Sequence, residues 1–196
     1  FYPLMSHIAA QGFTAIAYDH PAHGHSAGHT GHLPRFVRAF DELVEKMTAE
    51  YGPLQGVIAH SMGGAVTLSS RRRELDALPL LLISPVLDYV PQLYGMVARS
   101  GYSIRLFDAV VKEIEQEYQH PLSTVDPLGR LAGRCGPAII VHDEEDRFAP
   151  HGDSLRATQN GRTRLVSTRG LGHGRILASA PAFAAFDQLS AARHAN

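Results

Sequence analysis

The chain has 196 residues, of which 44% are hydrophobic and 19% are charged, and this is enough apolar material for one domain of ordinary size. Eighteen Lys and Arg residues stand against 19 Asp and Glu residues, so the formal net charge is -1 and no overall positive field exists to hold the phosphates of nucleic acid. The longest nearly unbroken apolar run, residues 78–87, is about half of the roughly 20 residues that span a bilayer. These properties argue against a disordered chain, a general DNA or RNA binder and a transmembrane helix.

Two features concern the setting of the chain. Cys135 is the single cysteine, so no internal disulfide can form, which suits a reducing compartment and leads us to predict a cytoplasmic protein. The first residue is Phe1 rather than Met, and a helix-like apolar pattern begins with it. We therefore expect further residues upstream of Phe1 in the native protein, and the sequence allows no statement about a signal peptide.

The apolar pattern along the chain predicts strands that alternate with helices. Short, mostly apolar runs predict strands at residues 13–18, 54–59, 78–83, 138–141 and 163–167. Apolar residues at intervals of three and four predict helices at residues 1–9, 34–51, 65–73, 106–118, 153–158 and 182–192. Because parallel neighbours need a crossover connection, this order predicts an α/β fold with a mostly parallel sheet and helices on both faces.

Residues 85–136 interrupt this alternation, because they contain no convincing strand and one clear helical pattern. We interpret the stretch as a helical insertion over the sheet. The predicted domain organisation is a core formed by residues 1–86 and 137–196, with residues 87–136 as a helical cap.

Ser61 lies at the junction of a predicted strand and a predicted helix, in Val57-Ile-Ala-His-Ser-Met-Gly-Gly64. A serine nucleophile at such a junction needs a sharp, strained turn that lifts its hydroxyl above the sheet edge, with small residues two before and two after it. Ala59 and Gly63 meet that demand, and N–H groups at the start of the next helix could bind developing negative charge. The alternative is a glycine-rich turn that carries an incidental serine.

Four segments together resemble the α/β-hydrolase superfamily. Besides the turn at Ser61, residues 19–26 (DHPAHGHS) resemble the loop before the nucleophile in that family, residues 141–150 (VHDEEDRFAP) its acid loop and residues 170–173 (GLGH) its histidine loop. Their order and spacing match the family, and each follows a predicted strand. One departure is Ala59, where the family usually has glycine; it adds a single methyl group.

The resemblance implies a catalytic triad of Ser61, His173 and Asp146. A serine hydroxyl is a weak nucleophile, so it needs a base, and the base needs an acid to hold its tautomer. Asp146 stands in the family's place, but Asp88 follows the third predicted strand and is a rival for the acid. Further rivals are the neighbouring loop carboxylates Asp143, Glu144 and Glu145.

The family pattern also implies an oxyanion hole, with the backbone N–H of Met62 as one donor. The second donor would come from a loop upstream of Phe1, which in the family carries a His-Gly pair. The strand that leads into that loop would lie between residues 13–18 and residues 54–59, and its absence would leave unpaired backbone in the centre of a sheet. We therefore expect an N-terminal portion of several tens of residues in the native protein.

A histidine-rich loop precedes the second predicted helix and contains His20, His23, His25, His29 and His32. Five imidazoles could suggest a metal site, but the loop also contains a proline and three glycines and lacks cysteine or regular ligand spacing. We interpret it as a polar loop near the entrance of the site, and we predict neither a metal nor a cofactor.

The leading hypothesis is a serine hydrolase that cleaves a small or medium ester through an acyl-enzyme on Ser61, similar to carboxylesterases and monoacylglycerol lipases. Its partner would be a small-molecule ester with an apolar acyl or alkyl group, because the predicted cap is apolar. The predicted substrate-contacting residues are His60, Leu87, Tyr89, Leu93, Tyr94 and Phe107. Thioesterases, carbon–carbon hydrolases, proline-releasing aminopeptidases and cofactor-free perhydrolases share the triad and are not separated by sequence. The alternative class is a ligand-binding or signalling member of the same fold with little or no turnover.

Overall fold

The computed structural model describes residues 1–194. Within them, four parallel strands form one sheet, in the order β1 (Val57–His60), β2 (Leu80–Ile83), β3 (Ala138–Asp143) and β4 (Thr163–Thr168). Spatial order follows chain order, so each connection crosses from the carboxyl end of one strand to the amino end of its neighbour.

The strand register brings the carboxyl ends of the strands to one edge of the sheet. His60 lies opposite Ile83, Ile83 lies opposite Val141 and Val141 lies opposite Val166. β3 and β4 run two residues further as a pair, to Asp143 opposite Thr168. Residues that directly follow these strands are therefore neighbours in space although they are far apart in the chain.

Helices fill the connections and both faces of the sheet. They are α1 (Tyr2–Ala10), α2 (Leu33–Tyr51), α3 (Met62–Leu68), α4 (Tyr89–Arg99), α5 (Ile104–Tyr118), α6 (Pro127–Ala132), α7 (His151–Ala157), α8 (Gly172–Arg175) and α9 (Ala180–His194). Short 3-10 turns lie at Arg73–Ala77, Leu122–Thr124, Thr158–Asn160 and Ile176–Ala178.

Successive residues of a strand point to opposite faces of the sheet, and the core follows that alternation. Leu81 and Ile83 pack in a cluster with residues of α1 and α9, whereas Leu80 and Leu82 pack in a cluster with residues of α3, α6 and α7. Every residue of β2 and β3 is buried. Strands that are apolar on both sides are typical of a parallel sheet covered on both faces, and the predicted α/β fold is confirmed.

Residues 13–18 form no strand, contrary to the prediction. Among the described residues their backbone joins none of the four paired strands, and Ile16 is 42% exposed. The apolar composition of this segment indicates strand propensity, but a strand also needs a neighbouring backbone with which to exchange hydrogen bonds.

α3 ends at Leu68, whereas the sequence pattern predicted a helix to residue 73. The Ser70 hydroxyl and the Arg71 N–H both donate hydrogen bonds to the Asp41 carboxylate on α2. These bonds between elements replace the continuation of the helix, and the chain re-forms one 3-10 turn at Arg73–Ala77 before β2.

Residues 85–136 contain no strand, as predicted, but they hold α4 and α6 besides the predicted helix α5. α4 packs on α5, and α5 packs on α2. α6 instead lies against α3 and α7, with Leu131 buried in the core cluster of β2 and β3. The predicted cap therefore includes one helix that belongs to the layer on the sheet.

In the part of the chain that the structure describes, no helix is both long enough and apolar enough to cross a membrane.

Gly64, in the first turn of α3, has no room for a side chain. A Cβ built there would lie 2.9 Å from Pro85 Cβ and 3.6 Å from Leu82 Cδ2. We expect Gly64→Ala to lower the free energy of unfolding by roughly 1–3 kcal/mol, because this crowding should outweigh the better helix propensity of alanine. Gly152→Ala in α7 is the control: no atom lies within 4 Å of its added Cβ, so stability should stay equal or rise by up to roughly 1 kcal/mol. Equal denaturation midpoints for the two variants would contradict the packing argument.

Candidate active site

Ser61 lies between the last residue of β1 and the first residue of α3, in a strained backbone conformation. Its φ of 54° and ψ of -123° belong to a region that residues with a side chain rarely adopt. The Ser61 N–H donates to the carbonyl of Ile83 at 3.1 Å, and its carbonyl accepts from the N–H of Val86 at 3.0 Å. Two hydrogen bonds to the carboxyl end of β2 and the segment after it thus hold the turn.

The small residues around Ser61 let β1 and α3 meet. A Cβ built on Gly63 would lie 3.7 Å from the Cβ of Ala59, so the two positions face each other at ordinary contact distance. The α/β hydrolases usually have glycine at the position of Ala59, and the methyl group of Ala59 fits the turn.

α3 begins directly after Ser61. Among the described residues, the N–H of Met62 donates to no acceptor, as expected for the first turn of a helix. Such N–H groups carry partial positive charge next to the serine.

Asp146 and His173 form a hydrogen-bonded pair. The imidazole Nδ1 lies 2.7 Å from Asp146 Oδ2, and since a carboxylate can only accept, Nδ1 carries the proton. The side chain of Asp146 is fully buried and that of His173 is 16% exposed. Asp146 Oδ1 accepts from the N–H groups of Phe148 at 2.8 Å and Ala149 at 3.1 Å. Burial raises the pKa of Asp146, but the bonds from His173 and these two N–H groups outweigh it and lower the pKa below its ordinary value.

His142 lies behind Asp146 and is fully buried. Its Nε2 is 3.2 Å from the carbonyl of Ala149 and 3.3 Å from Asp146 Oδ2, and its Nδ1 is 2.7 Å from Ser154 Oγ. Two acceptors around Nε2 assign the proton to that nitrogen, so Nδ1 accepts from the Ser154 hydroxyl. Burial lowers the pKa of His142, which favours the neutral ring beside Asp146.

His60 contacts the segment that carries His173. Its Nε2–H donates to the backbone carbonyl of His173 at 2.9 Å, and the two rings are 4.7 Å apart. Because His60 is bonded directly to Ser61 in the chain, this contact fixes the segment that carries His173 beside the strained turn. Burial lowers the pKa of His60.

The rival carboxylates have other partners. Asp88, at the start of α4, forms an ion pair with Arg156 at 2.6 Å, and Glu145 forms one with Arg169 at 3.1 Å. Glu144 is exposed. Asp143 is fully buried rather than a solvated loop residue, and it accepts hydrogen bonds from Leu171 and Thr168. Sequence reasoning missed this environment, because the four consecutive acidic residues at 143–146 look alike in the sequence.

A cavity of about 670 Å³ opens beside β1. His60, Ser61 and Met62 line it, together with residues 13–18. The other five predicted substrate-contacting residues lie elsewhere. Leu87 and Tyr89 are buried in the core at 1% and 7% exposure, whereas Leu93, Tyr94 and Phe107 lie on α4 and α5.

The histidines of the loop before α2 pack against an aromatic ring or cap a helix, and they do not form a cluster. His20 and His23 lie against the ring of Phe36, and His32 accepts from the Arg35 N–H at the start of α2. Over residues 1–194, no group of three or more His, Cys, Asp or Glu side chains is placed to hold a metal ion.

Comparison with solved structures identifies the fold. Est1E from Butyrivibrio proteoclasticus, solved with ferulic acid bound, has a TM-score of 0.71 at 16% identity, and the match covers 100% of this chain and 83% of that chain. The esterase Pf2001 from Pyrococcus furiosus has a TM-score of 0.68 at 17% identity, covering 98% of this chain and 75% of that chain. The fold is that of the α/β hydrolases, as the sequence motifs predicted.

Sequence comparison identifies the family. The chain belongs to the family described as Serine aminopeptidase, S33, which it matches over residues 1–185. It is also similar to a monoacylglycerol lipase of Mycolicibacterium smegmatis, with 25% identity over 76% of this chain and 66% of that lipase. The chain therefore spans just under two thirds of the length of this curated relative.

The burial of Asp143 generates a prediction about stability and pH. Burial raises the pKa of this carboxyl, but hydrogen bonds from Leu171, Thr168, Gly172 and Glu145 outweigh it and lower the pKa from an ordinary 3.8 to about 2. An acid with a lowered pKa stabilises the fold above its unfolded pKa, and that stability is lost as the pH falls toward the folded pKa. The denaturation midpoint of the wild type should exceed that of Asp143→Asn near neutral pH, and the difference should shrink between pH 4 and pH 2. A difference that stays constant with pH would show that the charge contributes nothing.

Proposed function

We propose that the protein is a serine hydrolase that cleaves small or medium esters through an acyl-enzyme on Ser61. The observation that carries the proposal is the 2.7 Å hydrogen bond between Asp146 and His173, together with the contact from His60, the residue before the strained turn at Ser61, to the His173 carbonyl. With its proton on Nδ1, the neutral imidazole keeps a lone pair on Nε2 and can act as a base. Membership of a hydrolase family and similarity to esterases and a lipase support the same reaction class.

The first half of the proposed reaction transfers the acyl group to Ser61. His173 Nε2 takes the hydroxyl proton as Ser61 Oγ attacks the ester carbonyl carbon, and the Asp146 carboxylate stabilises the imidazolium that forms. The N–H of Met62 donates to the oxyanion. His173 then gives the proton to the leaving alcohol, and the carbon–oxygen bond of the ester breaks.

The second half releases the acid. His173 takes a proton from a water molecule, whose oxygen attacks the acyl carbon, and the proton returns to Ser61 Oγ as the acyl–oxygen bond breaks. In each half, Nε2 of His173 takes up and releases the transferred proton while Nδ1 keeps its own proton. Both halves therefore depend on the hydrogen bond from Nδ1 to Asp146.

For the substrate, we propose a small molecule with an apolar acyl or alkyl group. The apolar character of the cap helices α4 and α5 supports this choice, because apolar surfaces favour such groups over charged ones. Leu93, Tyr94 and Phe107 are proposed as further contacts from the cap. Leu87 and Tyr89 are left out of this proposal, because their burial gives them a role in packing.

Ser61→Ala is the first test. We expect kcat for p-nitrophenyl esters to fall on the order of 10³-fold or more, because the nucleophile is lost, while the thermal midpoint stays equal or rises. Ser69→Ala, just beyond the other end of α3, is the matched control and should keep the wild-type rate.

The two results that oppose the proposal differ from each other. Ser61→Ala with a third or more of the wild-type rate would remove this serine from the site. Tight binding of esters with almost no turnover by the wild type would instead indicate a ligand-binding member of the fold.

Asp146→Asn tests the acid. The amide keeps the shape of the side chain but removes the charge that holds the Nδ1–H tautomer, so kcat should fall roughly 10²- to 10⁴-fold with little change in KM. Asp88→Asn, which breaks an exposed ion pair with Arg156, should leave kcat within a few-fold. If Asp88→Asn were the crippling change and Asp146→Asn nearly silent in steady-state kinetics, the acid would have to be reassigned to Asp88.

A further inference from the structure

The carboxyl end of β3 supplies two buried carboxylates, and the proposed mechanism uses one of them. Asp146 meets the imidazole of His173, whereas Asp143, the last residue of β3, faces the backbone that leads into His173. Asp143 has 0% exposure. A buried carboxylate is costly to fold unless it is well paired, so its partners indicate what it does.

The partners of Asp143 converge from the segment that carries His173. Its Oδ2 accepts from the Leu171 N–H at 2.9 Å and from the Thr168 hydroxyl at 2.8 Å. The N–H of Gly172 adds a further hydrogen bond that lowers the pKa of Asp143. Oδ1 accepts from the N–H of Glu145 at 3.1 Å, which ties the same carboxylate to the loop of Asp146.

None of these partners is a cation. Among the described residues, Asp143 forms no ion pair with Lys, Arg or His, unlike Asp76, which binds Arg130 and Arg134 at the opposite end of the sheet. A charged acceptor is stronger than a neutral one for backbone N–H groups, and these N–H groups start the short helix α8 on which His173 lies.

The backbone between β4 and His173 needs such a contact. Gly170 and Gly172 have φ of 80° and 64°, and no atom lies within 4 Å of a Cβ built on either. Glycines in open space give the chain conformational freedom. Asp143 removes that freedom one and two residues before His173, and His60 fixes the carbonyl of His173 itself.

We propose that Asp143 is a positioning residue that holds the backbone of residues 171 and 172, so that the imidazole of His173 stays between Asp146 and Ser61. The inference rests on the proposed function of His173 as the base. Asp143 touches neither the imidazole nor Ser61, and it acts through the N–H groups that it accepts.

Asp143→Asn is the central variant, because an amide can accept through one atom where the carboxylate accepts through two. We expect kcat to fall about 10- to 100-fold, as small misplacements of a catalytic group do, with KM within about two-fold. Asp76→Asn is the matched control: it also removes a largely buried carboxylate, so the thermal midpoint should fall, but kcat measured well below that midpoint should stay at the wild-type value. If the two variants lose stability alike and both keep the wild-type kcat, Asp143 is structural and the proposal is overturned.

A double variant separates positioning from general damage. Effects that act through one group are not additive, so adding Asp143→Asn to Asp146→Asn should cost less than about three-fold in kcat. A full 10-fold or larger additional loss would mean that Asp143 acts independently of the His173–Asp146 pair, contrary to the proposal. If Asp143→Asn does not fold, Thr168→Val removes one donor to the same oxygen and should lower kcat by a few-fold at unchanged KM; no change would count against the proposal.

Hydrogen–deuterium exchange tests the contact between Asp143 and the backbone of residues 171 and 172 without an activity assay. In Asp143→Asn the amides of residues 169–175 should exchange faster than in the wild type, whereas the exposed neighbour variant Glu144→Gln should leave them unchanged. Faster exchange in a protein that hydrolyses no ester would support the positioning role of Asp143 and reject the proposed function. If Ser61→Ala inactivates the enzyme but Asp143→Asn changes neither exchange nor kcat, the positioning role of Asp143 is rejected and the proposed serine hydrolase is supported.

Discussion

The parallel direction of the four strands is the constraint on which the candidate site depends. Parallel neighbours must be joined by crossovers, so the carboxyl ends of all strands lie at one edge, and whatever follows each strand meets there. β1 is followed by Ser61, β3 by the turn of Asp146 and β4 by the segment of His173. Three segments that are distant in the chain thus become neighbours through the strand register. The same rule explains why ligands of open α/β sheets bind at this edge.

Backbone strain and buried polar side chains at this edge lower the stability of the fold, and packing in the core has to offset them. Ser61 is held at positive φ, and Asp143, Asp146 and His142 bring polar side chains out of water. Strain and burial of this kind lower stability unless the surroundings fix them. β2 and the apolar residues of β3 supply that support: their side chains are fully packed on both faces, so the backbone that anchors the strained turn has little freedom to relax.

The sequence predicted the features that local chemistry determines and missed those that depend on tertiary contacts. The buried strands β2 and β3 are visible as apolar runs, and the turn at Ser61 is visible because only small residues fit beside it. Residues 13–18 resemble a strand in the sequence because their composition is apolar. Strand pairing also requires a second segment, and composition does not reveal it. The positions of His60 and Asp143 could not be read from the chain, because each contacts backbone more than 20 residues away. The partners of the rival acids, such as Arg156 for Asp88, likewise depend on tertiary contacts.

The two buried carboxylates of the acid loop differ in what they can do because their donors differ. Asp146 faces an imidazole whose charge would change during the proposed reaction, so its own charge matters most when the proton is on His173. Asp143 faces amides whose charge never changes, so its contribution is the same in every step and acts on geometry alone. The N–H groups that saturate Asp143 also prevent it from turning toward the imidazole. We therefore expect that Asp143 does not replace Asp146 in the proposed mechanism, and that removal of Asp143 leaves the proposed triad present but the backbone before His173 less well held.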